Sequence, residues 1–591
     1  MDKVEQEIIV DCEKIFCMKW YLPILFIFII SQTALAQQCR FEKSDGLETA
    51  TYFEAIEWYK QLDKISTKVL VKEMGATDAG YPLHLVLVSN DAIFDPEKWH
   101  KQHKVVILIN NGIHPGEPDG IDASMMLVRD IVNKKIIIPD NVALCIIPVY
   151  NIGGSLNRGS FSRVNQNGPL EYGFRGNSEN LDLNRDFTKC DSKEAKTFTQ
   201  IFHLLDPDIL MDNHVSDGAD YQHTMTLITT QYDKLGGHLG KWLQQIFEPQ
   251  LYKSMREKGW DMIPYVNFET ASPDNGMEMF YDSPRYSSGY AALFGTVSFI
   301  PETHMLKPYA DRVKSTYALM QTMITTAAKN ADSLVMFRDQ LKKETITQST
   351  FPMSFSVDSS KYGFVTFKGY EQGYTTSEAT GLQKMYYDRN RPFTKNVKYY
   401  NVFKPANNIA KPAAYIIPQG WHSVIDLLKL NGVQMRQFTT DTSLEVESYH
   451  ITDYKSYPKA YEKHHKNFSV KLLARNENVK FLKGDYFILL NQVANRYLVE
   501  TLEPSGDDSF FSWNFLDAVL QQKEGYSDYR WEDIAAQVLK INPDLKQKLV
   551  AKKLADTSFA NNASAQLEFI YKNSPYYEPA HLRYPVFRLN H

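Results

Sequence analysis

The chain has 591 residues, more than one domain ordinarily holds. Its 43% hydrophobic and 23% charged content place it with globular proteins. A net charge of −5 gives no electrostatic reason to expect a nucleic-acid partner. Five cysteines without metal-type spacing exclude a disulfide scaffold.

The first 36 residues read as an export signal. Met18-Lys19-Trp20 supplies a short basic start, Tyr21 to Ile30 an apolar stretch, and Ala34-Leu35-Ala36 a small-residue cleavage pattern. Residues 1–17 are acidic, which makes Met18 the candidate initiator. The apolar stretch is short of the ~20 residues that cross a bilayer. An exported product, secreted or periplasmic, is therefore expected, with no stable membrane span once the signal is removed. Gln37 and Gln38 stand where a lipidation site at Cys39 would carry small residues.

Beyond the signal, strand-like runs alternate with helical patterns to about residue 335. The spacing predicts a strand over 105–110, a helix over 118–133, a strand over 142–149 and a helix over 192–204. It then predicts a strand over 207–212, a helix over 234–258, a strand over 295–300 and a helix over 308–330. Such alternation argues an α/β fold with a mixed twisted sheet and helices on both faces. Residues 334–350 read as a polar connection. Short Tyr-, Phe- and Val-rich segments fill 351–500, a β-type pattern, interrupted by a small strand–helix unit at 414–431. Residues 512–556 turn helical. Two domains are expected, 40–335 and a β-rich then helical accessory region over 350–591.

Four polar clusters within the first domain suit one metal site. His114-Pro115-Gly116-Glu117 follows the apolar run 105–110, Asp212-Asn213-His214 follows Ile209-Leu210-Met211, and Pro301-Glu302 follows 296–300. Leu181-Asp182-Leu183-Asn184-Arg185 is the fourth. Three of them lie just past strands, where open α/β sheets gather ligands. Imidazole and carboxylate donors suit zinc, and a hydrolytic site needs three ligands and one open position. His114, Glu117 and His214 are the candidate ligands for one zinc ion per chain. Asp212 could hold an imidazole from behind. Glu302 could take a proton from water, and equally could be a strand-end ion pair. Asn184 and Arg185 suit a free carboxylate, and Arg175 an oxyanion. Asn184 could also be a helix start, with Arg185 paired to Asp186.

In that order the clusters resemble the zinc metallocarboxypeptidases of the carboxypeptidase A type. Their hallmark is His-x-x-Glu, then Asp-x-Asn-Arg, then His, then a strand-end Glu. The segment Ile147 to Gly154 is similar to the strand that ends in Asn-Pro-Asp-Gly in the family, with Ile152 and Gly153 in place of Pro and Asp. The resemblance implies zinc on His114, Glu117 and His214, Glu302 as general base and then acid, and Arg175 polarising the carbonyl. It implies Asn184 and Arg185 on the terminal carboxylate of a peptide substrate. It also implies a substrate-binding Tyr upstream of the base, for which Tyr281 is the nearest match, ahead of Tyr286 and Tyr290. Arg285 and Ser287 would then line the specificity pocket.

The expected function is hydrolysis of carboxy-terminal peptide bonds in substrates with a free terminal carboxylate. Two alternatives share the pattern. A zinc amidohydrolase of the aspartoacylase type would deacylate small acylated amino acids, and a non-catalytic relative would bind peptides without cleaving them.

Overall fold

The computed structural model describes residues 38–266 and 273–590. The proposed signal, 1–36, lies outside the described residues. Contacts divide the chain into two units, one holding residues to Thr347 together with Ser354–Asn408, the other Gln348–Met353 with Ile409–His591.

The first unit is built on a nine-stranded mixed sheet. Its strands are β1 (Val69–Ala76), β2 (Pro82–Ser89), β3 (Val105–Asn110), β4 (Val142–Ile147), β5 (Ile209–Asp212) and β6 (His214–Ser216). They continue with β7 (Met225–Thr229) and β8 (Ile263–Pro264), then β9 (Met277–Glu278), which joins another sheet, and β10 (Val297–His304). The order is β1-β2-β4-β3-β5-β10-β7-β8, with β6 also on β10. β3 runs parallel to both β4 and β5, and β5 parallel to β10. Every residue of β3, β4 and β5 is buried. That is why these strands read as unbroken apolar runs rather than alternating ones.

Helices Asp119–Val132, Lys193–Leu205 and Tyr309–Lys329 flank the sheet. The first carries Asp119 and Asp122 in its opening turn and Arg129 in its last, each on the end its dipole favours. The second is capped by the Ser192 hydroxyl, which accepts from the Ala195 amide at 3.0 Å. The α/β layering and most element positions agree with the sequence. Two segments differ. The helix expected over 234–258 is broken, because Gly236 and Gly237 both take positive φ, 78° and 59°. The stretch expected as a polar connection is a helix, Ala331–Thr347, whose Leu334, Arg338 and Thr345 are buried while Asp332, Asp339 and Lys343 are exposed.

Beyond it come β11 (Thr350–Val357), a long hairpin of β12 (Gly363–Thr376) and β13 (Gln383–Tyr400), and β14 (Phe403–Ala410). β13 pairs in parallel with β9, so the hairpin extends a three-stranded sheet in the first unit. The second unit has a six-stranded sheet, order β16-β19-β15-β20-β17-β18. These strands are β15 (Ala414–Ile417), β16 (Arg436–Gln437), β17 (Thr442–Ser456), β18 (Asn467–Phe481), β19 (Tyr486–Leu489) and β20 (Phe587–Leu589). Helices Asp528–Ile541, Pro543–Ala555 and Ala563–Lys572 bury a small core of their own around Trp531 and Leu549. Among the described residues, no helix is long and apolar enough to cross a membrane.

Candidate metal centre

Register places the clusters. Asn110 at the end of β3 lies opposite Asp212 at the end of β5. His214, opening β6, lies opposite Glu302 on β10. Directly paired residues project to one face of a sheet, so His214 and Glu302 share a side. The turn after β3 then brings His114 and Glu117 to the same place, with the Glu117 amide donating to the His114 carbonyl at 2.8 Å.

His114, Glu117 and His214 each offer a donor atom, and these lie within 4.8 Å of one another. All three side chains are buried. His114 Nδ1 stands 3.2 Å from Glu117 Oε1, and His214 Nδ1 stands 3.2 Å from Glu117 Oε2. The outer nitrogens are each held by a carboxylate. His114 Nε2 meets Asp182 Oδ1 at 2.9 Å, and His214 Nε2 meets Asp212 Oδ2 at 3.1 Å. Asp212 is itself fixed by the Ser287 hydroxyl at 2.6 Å and the Asn110 amide at 3.1 Å. A ring that donates through Nε2 has its Nδ1 lone pair free, which orients both rings as ligands. His114 Nδ1 is buried without a hydrogen-bond partner. Two imidazole nitrogens and a carboxylate converging in a buried space repel unless a proton or a metal ion joins them. The donor set fits zinc.

The electrostatics follow. Burial opposes the charge on Glu117, yet Arg163 and His114 hold its carboxyl well below the usual range. Burial likewise penalises the His214 imidazolium, but Asp212 and Glu117 keep its pKa well above the ordinary value. For Glu302 burial wins. Its carboxyl is pushed up to about 8, with Glu117 and Asp212 adding to the rise and His214 and Arg175 opposing it. A carboxyl moved this far, beside a donor cluster, suits proton transfer.

Arg175 and Arg185 converge on the same hub. Arg175 Nε donates to Asp182 Oδ2 at 2.9 Å and its Nη1 lies 3.7 Å from Glu117 Oε1. Arg185 Nη1 lies 3.9 Å from Asp182 Oδ2, and its guanidinium sits 4.6 Å from the centre of the Tyr286 ring. The Asn184 side-chain oxygen is buried with no hydrogen-bond partner. Tyr281 is placed elsewhere, its ring against Phe355 and Phe403 at 6.0 and 5.9 Å. Tyr290 bonds to His203 and packs on Phe187 and Phe202. Counting back from the strand-end Glu therefore reaches a core ring. The Tyr beside the arginine lies five residues further on, just before the helix Ser287–Ala292.

Sequence reasoning missed Arg163, which pairs with Glu117, and Tyr265, whose hydroxyl pKa burial and the nearby Glu302 push up. Neither stands in a recognisable motif, so no local signal could have found them.

Residues 55–203 match the family described as "Zinc carboxypeptidase". "Carboxypeptidase 2" of Trichophyton rubrum is 19% identical over 509 residues, 80% of this chain and 85% of that protein. The protein of the same name from Trichophyton tonsurans is 20% identical over 468 residues, 74% and 78%. Among solved structures, a carboxypeptidase A from Helicoverpa armigera aligns at TM-score 0.37 and 15% identity, over 48% of this chain and 75% of that one. A metallo-carboxypeptidase from Burkholderia cenocepacia aligns at TM-score 0.35 and 18% identity, over 48% and 70%. The chain is a metallopeptidase, a hydrolase. The match to the zinc carboxypeptidase family, whose members act on peptides, is carried by residues 55–203.

Proposed function

We propose that the chain is an exported, zinc-dependent carboxypeptidase that removes the terminal residue of peptides with a free carboxylate. The observation that carries this reading is the pair of imidazoles whose Nδ1 atoms face Glu117 while their outer nitrogens rest on Asp182 and Asp212. His114, Glu117 and His214 would hold one zinc ion, which when bound supplies a Lewis acid for the scissile carbonyl and for water.

The remaining chemistry belongs to the chain. Glu302 takes a proton from water onto its carboxylate and later delivers it to the departing amine. Arg175 faces the charge that develops on the carbonyl oxygen. Asn184 and Arg185 receive the terminal carboxylate, the guanidinium in a bidentate pairing. Tyr286, stacked on Arg185, is a better candidate than Tyr281 for the substrate-side ring. Residues 40–335 would be the catalytic domain and 350–591 the accessory region. The segment Ser354–Asn408, which clusters with the first unit, is better counted with catalysis. Export rests on the signal pattern of residues 1–36. The relatives named above favour peptide hydrolysis over deacylation of small amino acids.

The test is elemental analysis of zinc together with cleavage of paired peptides, free and amidated at the carboxy terminus. A charge-assisted pair is worth roughly 1.5–3 kcal/mol, so amidation should slow cleavage at least tenfold, and Arg185→Ala should abolish the difference. Equal cleavage of both peptides by the wild type would overturn the exopeptidase reading.

A further inference from the structure

We propose that Arg163 competes with the metal ion for Glu117, so that a bound ion is held less tightly and stays less neutralised. The inference rests on the zinc reading above. It starts from a segment that the family motifs do not cover. Gly159 and Tyr172 exchange backbone hydrogen bonds at 2.9 Å and close the loop between them. The buried Arg312 fixes this loop by donating to the Asn167 and Gly168 carbonyls, both at 2.9 Å. The Asn167 amide also donates to the Met305 carbonyl at 2.7 Å. Val164, at 96% exposure, faces solvent, while its neighbour Arg163 turns inward.

The inward course of Arg163 is prepared. Its guanidinium donates to Glu117 Oε1 through Nη2 and to Gln166 Oε1 through Nη1, the latter at 2.8 Å. The Gln166 amide in turn donates to the Gly116 carbonyl at 2.8 Å. The arginine stem lies directly on Gly116, where a Cβ would stand 2.4 Å from Nε and 2.8 Å from Cδ. The glycine of the His-Pro-Gly-Glu turn thus makes room for the arginine.

Glu117 is consequently shared. Oε1 faces His114 and Arg163, and Oε2 faces His214 and accepts from the Val215 amide at 2.9 Å. A guanidinium and a metal ion drawing on one buried carboxylate repel each other. The other acids behind the ligands cannot relieve this, because Asp182 is engaged by Arg175 and Asp212 by Ser287. Arg163 therefore acts through Glu117 as a positioning residue, and its loss has a sign that structural damage cannot imitate. Damage loosens a metal, whereas loss of a competitor tightens it.

The experiment measures the zinc dissociation constant by competition with a chelator of known affinity. Arg163→Gln should bind zinc at least tenfold more tightly than the wild type, with a lower kcat when fully loaded. Arg163→Lys keeps the charge and should stay near the wild type. Zinc binding in Arg163→Gln that is unchanged or weaker overturns the proposal. Should that variant not fold, Gln166→Ala, which lets the guanidinium leave Glu117, is read in the same assay. Tightening supports the competition, and unchanged or weaker binding overturns it. Wild-type protein that takes up no zinc overturns the metal reading itself, a distinguishable failure.

Discussion

Glu302 can act as a base only when it is ionised, so activity must fall as pH drops through its pKa. Burial lifts that carboxyl to about 8, from an ordinary value of 4.5. A bound dication favours the carboxylate and pulls the value back down. The acid limb of kcat/KM should therefore lie between those two figures, and Glu302→Gln should lose about 10²-fold or more in kcat while keeping zinc. A limb at the ordinary glutamate value, or full activity in the glutamine variant, would assign water activation to another group. Asp182 gives a second prediction at this scale. Burial opposes its charge, but His114, Arg175 and Arg185 outweigh burial and hold its carboxyl well below the usual range. Asp182→Asn loses the anion behind the His114 ring, and zinc affinity should drop ~10–100-fold with the fold intact. Circular dichroism and a chelator titration would show it, and an unchanged zinc affinity would make Asp182 dispensable.

At the scale of elements, the helix Ala331–Thr347 is held by one buried cation. Arg338 lies 3.1 Å from Asp208 and also bonds to Asp206, while the Val106 amide donates to Asp208 at 2.9 Å. Removing one partner of a buried pair leaves the other charge uncompensated, at a cost of roughly 3–5 kcal/mol. Arg338→Ala should lower the stability of the first unit on that scale, read as a shift in its urea midpoint. Arg338 and Lys342 together hold the Asp206 carboxyl below its ordinary 3.8, although burial pulls the other way. A depressed carboxylate stabilises above the unfolded pKa and stops doing so as pH falls. The difference between wild type and variant should accordingly shrink below about pH 4. An equal difference at pH 3 and 7 would remove the ion pair from the explanation. This helix also marks where reading the chain runs out. β3 and β5 are legible because burial on both faces leaves unbroken apolar runs, β10 because its run is interrupted only by Ser298, and the polar clusters at their ends stand out against them. The helix 331–347 was not legible, because its inward face carries an arginine and a threonine beside Leu334. Arg163 was not legible either. It reaches Glu117 across 46 residues of sequence, through a loop whose course is set by Arg312.

For the whole molecule, the question is how much of the chain after residue 347 the centre needs. The β12–β13 hairpin belongs to the first unit and touches the loop that follows His214. Tyr221 forms a bridge with Gly369, and the Gln222 amide donates to the Lys368 carbonyl at 2.9 Å. Arg389 Nε meets the buried Asp220 at 2.6 Å, and Lys307, five residues after Glu302, lies 3.3 Å from the same carboxylate. Asp220 thus ties the hairpin to the segments that follow His214 and Glu302. Without the hairpin, Asp220 keeps one cation where it had two, and Tyr221 and Gln222 lose their backbone partners Gly369 and Lys368. A chain ending at Ala410 keeps the hairpin with β11 and β14. It should retain zinc and hydrolyse peptides at a rate comparable to the full chain. A chain ending at Thr347 keeps every candidate ligand, yet should lose about tenfold or more in kcat/KM, because buried polar groups stripped of partners cost roughly 1–3 kcal/mol each. Equal activity in the two truncations would mean that the hairpin only decorates the catalytic unit. Loss in both would mean that the second unit supports catalysis, contrary to the division of labour proposed above.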